Sequence, residues 1–368
     1  MIISESRILK IFKEVSKDFY KKKGNNDQKS KHWKNRYQIK EFNEKNLVNF
    51  RSSGLNLGLD DQTESFKFKI FAEVVNYVSE QYVLSNLPKK NIGNSKELIK
   101  YQNLYMDYNK LIQIHWFYDI ENSVLKNNKI SSICEIGGGF GSFAELIIRN
   151  YNTKLLSIDL PEANVMTTYY LKESFPGKSF YLYDDYKKNN YLSYEDFLEN
   201  DIIILPPNLN IDPKIKIDFF INTRSMMEMN FSAIQSYFDL IHKLINKDGF
   251  FLNINRYQKT SVGEEIRISE YPYDKHWSVI TSKPSYNQNW VHFLLTKRNM
   301  IQQEQNVKEE LDGIKKIESQ FYGKYIDIQP GLTKAFIRKL LKIIVGIKLL
   351  NLFGNFLLSI GTKLKKIN

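Results

Sequence analysis

Apolar residues recur every three or four positions in the first third of the chain. Ile8, Ile11, Phe12, Val15 and Phe19 fall on one face and predict a helix over residues 4–20. The same spacing predicts helices over 66–84 and 97–125, separated by polar, turn-rich stretches at 49–54 and 91–95. At Ile130 the pattern changes. Short β-rich runs now alternate with helical ones: 130–136, 154–158, 202–205, 218–221, 250–254 and 290–296. Residues 180–183 fit either a further strand or an extended connection. Strand, helix, strand at this interval predicts βαβ units and a parallel sheet, hence an α/β fold. The chain thus divides into a helical cap or substrate region (1–128), an α/β domain (129–300), a helical connection (301–333) and a tail (334–368).

The first β-rich run ends abruptly in Glu135-Ile136-Gly137-Gly138-Gly139-Phe140-Gly141. A strand running into glycines and then a helix brings backbone close to a ligand, where a Cβ would clash. Gly139 to Ala144 also fits the dinucleotide pattern G-x-G-x-x-A, which places a pyrophosphate at the helix N-terminus. Glu135 discriminates between ligands. A carboxylate at the strand's end suits a cationic amino group and is a poor neighbour for a pyrophosphate. Asp159, with Leu160 beside it, ends the next run at the position where an acid takes ribose hydroxyls. Glu135, Gly137, Gly139, Gly141, Asp159 and Leu160 are therefore the expected contacts of a nucleoside-type cofactor.

These residues, together with Ile158–Glu162, Ile221–Met229, Asn255–Tyr257 and Glu270–Trp277, resemble the sugar O-methyltransferases associated with bacterial surface-polysaccharide genes. The resemblance covers residues 130–300. It implies a Rossmann-like class I methyltransferase sheet, S-adenosyl-L-methionine as donor, a saccharide hydroxyl as acceptor and a role in surface-polysaccharide assembly. An NAD-dependent sugar oxidoreductase and a catalytically silent, membrane-associated scaffold of the same fold are the alternatives.

Ligands of open α/β sheets lie beyond the carboxyl ends of the strands. That rule selects Arg224, Ser225 and Glu228 after one run, and Asn255, Arg256 and Tyr257 after another. The long connection holding Tyr273, His276 and Trp277 is expected to fold over the same edge. Transfer to a hydroxyl needs a base for its proton, and the expected catalytic residues are Glu228 and His276. Arg224, Ser225, Asn255, Arg256, Tyr257, Tyr273 and Trp277 are the expected acceptor-binding set, with Arg51 reaching in from the cap. No paired ligands in these loops suggest a metal, and none is expected.

Charge changes the picture less than its total suggests. The net +12 is concentrated in residues 334–368, which carry eight basic residues and no acidic ones. Only nine of the 53 cations are arginine, so nucleic acid is not an expected partner. The single cysteine, Cys134, excludes a disulfide framework, and the N-terminus has no signal-peptide layout, so a cytoplasmic location is expected. The tail's longest uncharged run, 349–362, is shorter than the roughly 20 residues a spanning helix needs. A basic amphipathic tail fits either the anionic inner-membrane surface or packing on the protein, including a homodimer partner.

Overall fold

The computed structural model describes residues 3–21, 42–52, 62–260, 262–299 and 306–322. The predicted basic tail, its membrane or dimer contacts and the polar stretch after Lys21 lie outside these residues. The described residues up to Phe321 form one compact unit.

Helix α1 (Glu5–Lys21) buries Ile8, Phe12, Val15 and Phe19, the face its spacing marks out. The long helix expected over 66–84 breaks at Ser79, where φ is +141°, into α2 (Glu64–Val78) and a short helix, Glu80–Asn86. The helix expected over 97–125 begins late. Ile99–Tyr101 and Leu104–Met106 pair as a hairpin, turned by Gln102 and Asn103 at positive φ. Helix α3 (Tyr108–Ile120) follows, its first turn capped by the Asp107 carboxylate accepting from the Lys110 N–H at 2.7 Å. Tight-turn chemistry overrode an apolar pattern that suits either element.

The strands β1 (Ser132–Ile136), β2 (Lys154–Ile158), β3 (Ile202–Leu205), β4 (Ile217–Thr223), β5 (Ile245–Arg256), β6 (Trp277–Ser285) and β7 (Gln288–Arg298) form one sheet. Their order is 3-2-1-4-5-7-6, with Phe180–Tyr181 a two-residue edge strand beyond β3. Strands β1 to β5 run parallel, whereas β7 is antiparallel to both neighbours. This is the expected Rossmann-like α/β arrangement. Its parallel strands are covered on both faces, and β1 and β3 are buried at every position. Helices α4 (Ser142–Tyr151), α5 (Pro161–Ser174), α6 (Phe231–Leu244) and α7 (Val307–Tyr322) are the remaining long helices of the described residues.

Cap and sheet share a core: Phe50, Leu111, Ile114 and Phe117 pack in one cluster with Phe143, Leu146, Phe219 and Leu252. The opposite face of the sheet gathers Phe220, Phe238, Ile241, Phe251 and Trp277.

Strand β6 corrects one expectation. Residues 277–285 are not a connection over the ligand edge; they form an edge strand. Trp277 pairs with Arg298, and Lys297 pairs with Phe250, far from the carboxyl end of β5 at Arg256. The antiparallel β6–β7 hairpin therefore puts Tyr273, His276 and Trp277 toward the opposite edge of the sheet.

Candidate active site

A cavity of about 350 Å³ opens at the carboxyl ends of β1, β2 and β4. The glycine turn forms its floor. Gly137 has φ +67°, and a Cβ there would overlap the Ser225 hydroxyl, so the chain needs glycine both for its dihedral and for Ser225. Gly139 has φ +66°, and a Cβ placed on it would meet nothing within 4 Å, so its backbone faces open cavity. Gly141 is not on the wall; it faces Thr167 on α5.

Two acids anchor the turn. Asp159 accepts from the Gly139 N–H at 3.0 Å and from the Leu160 N–H at 2.7 Å. Glu135 is wholly buried beneath Gly138, and neither of its carboxylate oxygens completes a hydrogen bond. Burial pushes the Glu135 carboxyl up to about 8, helped by the charge of Asp159 and opposed by the Ala144 N–H and Lys110. Burial likewise pushes Asp159 up to about 7; its two backbone donors oppose this, while Glu162 and Glu228 add to it. An unpaired buried carboxylate is costly; Asp159 lines the cavity, whereas Glu135 lies beneath its wall rather than on it.

The cap supplies the facing wall, which sequence reasoning largely missed. Arg51 pairs with Asp107 at 2.6 Å and lies over the Phe140 ring of the glycine turn. Lys110 donates to the Ser142 carbonyl at 2.9 Å and meets Glu145 at 3.4 Å; burial lowers its pKa. Gln113 accepts from the Ser142 hydroxyl at 2.9 Å, and Asn109 and Trp116 also line the cavity. Arg51 alone was legible, from its turn-rich setting. The others sit in a helix whose sequence pattern reports only burial.

From the β4 side come Arg224, Ser225 and Glu228, as expected. Glu228 pairs with the buried Lys259 at 3.1 Å. Beneath this loop lies a buried amide network. Asn222 donates to the Ile136 carbonyl at 2.8 Å and accepts from the Met226 N–H and Asn255, while Asn255 accepts from the Met227 N–H at 3.0 Å.

The remaining expected acceptor contacts are corrected. Asn255 is fully buried in that network, and Arg256 is not on the wall. Tyr257 packs inside, its hydroxyl 2.9 Å from His292 Nδ1. Tyr273 takes a hydrogen bond from Asn253 at 3.1 Å and packs on Phe238, and Trp277 donates to His242 at 3.1 Å. His276 stands just before β6, its backbone N–H donating to Asp274, and is not on the cavity wall. Aromatic residues expected on a sugar therefore serve the core. Among the described residues no group of three or more His, Cys, Asp or Glu gathers as a metal site, and no helix is long and apolar enough to cross a membrane.

No protein-family model and no curated protein matches the chain. Among solved structures, the pyocyanin biosynthetic protein PhzM matches 50% of this chain and 54% of its own at 10% identity, with a TM-score of 0.33. The N-methyltransferase NodS from Bradyrhizobium japonicum WM9, in complex with S-adenosyl-L-homocysteine, matches 52% of this chain and 88% of its own at 12% identity and 0.34. An O-methyltransferase family protein from Burkholderia thailandensis matches 52% and 58% at 10% identity and 0.35. The match spans about half the length of PhzM. The fold itself rests on strand order and direction.

Proposed function

We propose that the cavity binds S-adenosyl-L-methionine and that the chain moves its methyl group to a saccharide hydroxyl, in surface-polysaccharide assembly. The observation that carries the donor assignment is Glu135, wholly buried beneath Gly138, one layer below the cavity wall, with neither carboxylate oxygen completing a hydrogen bond. A cationic amino group above the turn is favoured by that carboxylate beneath it, whereas a pyrophosphate there would add like charge. The open face of Gly139 leaves room for a close ligand, and Asp159 is placed for ribose hydroxyls. Leu160, Ala163 and Pro207 offer an apolar wall for a flat base. When bound, the donor supplies an electrophilic methyl on a sulfonium.

The chain's own residues then supply placement and a base. Alignment of the two reactants is the main task. Glu228, on the cavity wall and paired with Lys259 at 3.1 Å, accepts the hydroxyl proton as the new O–C bond forms. His276 has no part in this, because it lies off the cavity. The saccharide acceptor rests on the resemblance of residues 221–229 and 255–257 to the sugar O-methyltransferases, and the cap wall closes over the acceptor side.

Calorimetry with S-adenosylhomocysteine and NAD tests the donor. S-adenosylhomocysteine binding that falls by about ten- to a hundred-fold in Glu135→Gln and Asp159→Ala, with no NAD signal, is expected from the loss of charge-assisted contacts. NAD binding in its place would turn the site into that of an oxidoreductase.

A further inference from the structure

The charges on the cavity wall do not cancel one by one. Arg51 is matched by Asp107, Lys110 by Glu145, and Glu228 by Lys259. Arg224 lines the same cavity, and no carboxylate pairs with it among the described residues; its one side-chain partner is the neutral Asn109 oxygen at 3.4 Å. Glu228 attracts it from a distance and Arg256 repels it, while burial lowers its pKa. Lys90, exposed at the mouth, has no carboxylate partner either among the described residues.

The backbone adds an independent observation. Arg224 sits at φ +58°, its N–H donating to the Ile254 carbonyl at 2.6 Å. That left-handed conformation suits glycine or asparagine, and an arginine held there is strained. A half-buried guanidinium without a carboxylate partner, on a strained backbone, is a poor way to build a loop. It is a good way to present a planar two-pronged donor to an oxyanion.

We infer that the acceptor carries an anionic group, a carboxylate or a phosphate, which Arg224 grips inside the cavity. This rests on the cavity being a donor-plus-acceptor site. The anion supplies the charge that Arg224 lacks and fixes one end of the sugar, leaving a hydroxyl to face Glu228. Uronic acids and sugar phosphates share that chemistry.

The test begins with protein loaded with S-adenosylhomocysteine, into which glucose, glucuronate and glucose 1-phosphate are titrated. One charged sugar should bind about ten- to a hundred-fold more tightly than glucose, and which one does so separates carboxylate from phosphate. Arg224→Asn should lose that preference, keep S-adenosylhomocysteine affinity, and melt at or above the wild-type temperature, because asparagine suits the backbone and carries no charge. Arg224→Lys should retain part of the preference. Glucose binding as well as the charged sugars, failure of both charged sugars to bind, or a lower melting temperature in Arg224→Asn would overturn the inference. Failure of S-adenosylhomocysteine to bind would instead remove the donor reading and this inference with it.

Discussion

Glu135 ties the chemistry of the site to its protonation. Its carboxyl is pushed from 4.5 to about 8 by burial and by Asp159, so the folded protein holds a proton that the unfolded chain releases. The contribution of this group to stability is therefore full below about pH 4.5 and is lost as pH rises through about 8. A ligand bearing an ammonium reverses the preference, because it selects the ionised carboxylate. Asp159, raised to about 7, shares the window. Two outcomes are expected. The ligand-free protein should melt at lower temperature near pH 8 than near pH 6, and S-adenosylhomocysteine should bind more tightly at the higher pH with release of protons. Calorimetry at neutral pH in two buffers of different ionisation enthalpy measures that release. Proton uptake, or affinity falling with pH, would show that no cation meets Glu135. Asp159, Arg224, Ser225 and Glu228 were legible in the sequence because each follows a strand's carboxyl end, a position that topology alone makes functional, and Glu135 because it stands within β1 just before the glycine turn.

Between elements, one relay clamps the cap to the glycine turn beside the Lys110 and Gln113 contacts to Ser142. Asp107 caps α3 through one oxygen and holds Arg51 through the other, and Arg51 lies on Phe140. Asp107→Ala removes both contacts. Losing the cap costs about 1 kcal/mol, and losing a charged hydrogen bond about 1.5–3 kcal/mol. A lower melting temperature and a few-fold weaker S-adenosylhomocysteine affinity are expected, the second because the turn loses its lid. An unchanged affinity with a lowered melting temperature would confine Asp107 to the cap. Of this relay only Arg51 was legible from the chain. Residues 51 and 107 are linked only by folding, and the pattern over 97–125 read as one helix because the Gln102–Asn103 turn carries no glycine or proline. The parallel strands were legible for the converse reason: burial on both faces leaves short apolar runs with clear ends, and β2 and β3 match their expected spans.

Across the whole molecule, the sheet has two edges with different duties. The carboxyl ends of β1, β2 and β4 hold the cavity, and the opposite edge holds the start of the β6–β7 hairpin. The sequence resemblance drew residues from both edges into one site, since resemblance records that residues matter without recording where. Trp277 shows the difference. It is almost wholly buried against Phe251 and Tyr273, so Trp277→Ala should cost about 3–5 kcal/mol of stability. His276 lies off the cavity and its bond to Asp274 is made by its backbone N–H, so His276→Ala should leave kcat within about twofold, inside the range of an uninvolved surface change. Glu228 lies on the cavity, and Glu228→Gln should lower kcat by about a hundredfold or more while the protein stays folded. Steady-state turnover of the three variants, with melting curves alongside, separates the edges. A large loss of kcat in folded His276→Ala would mean that the hairpin edge carries the chemistry, and the proton would then need a route from that edge rather than from Glu228.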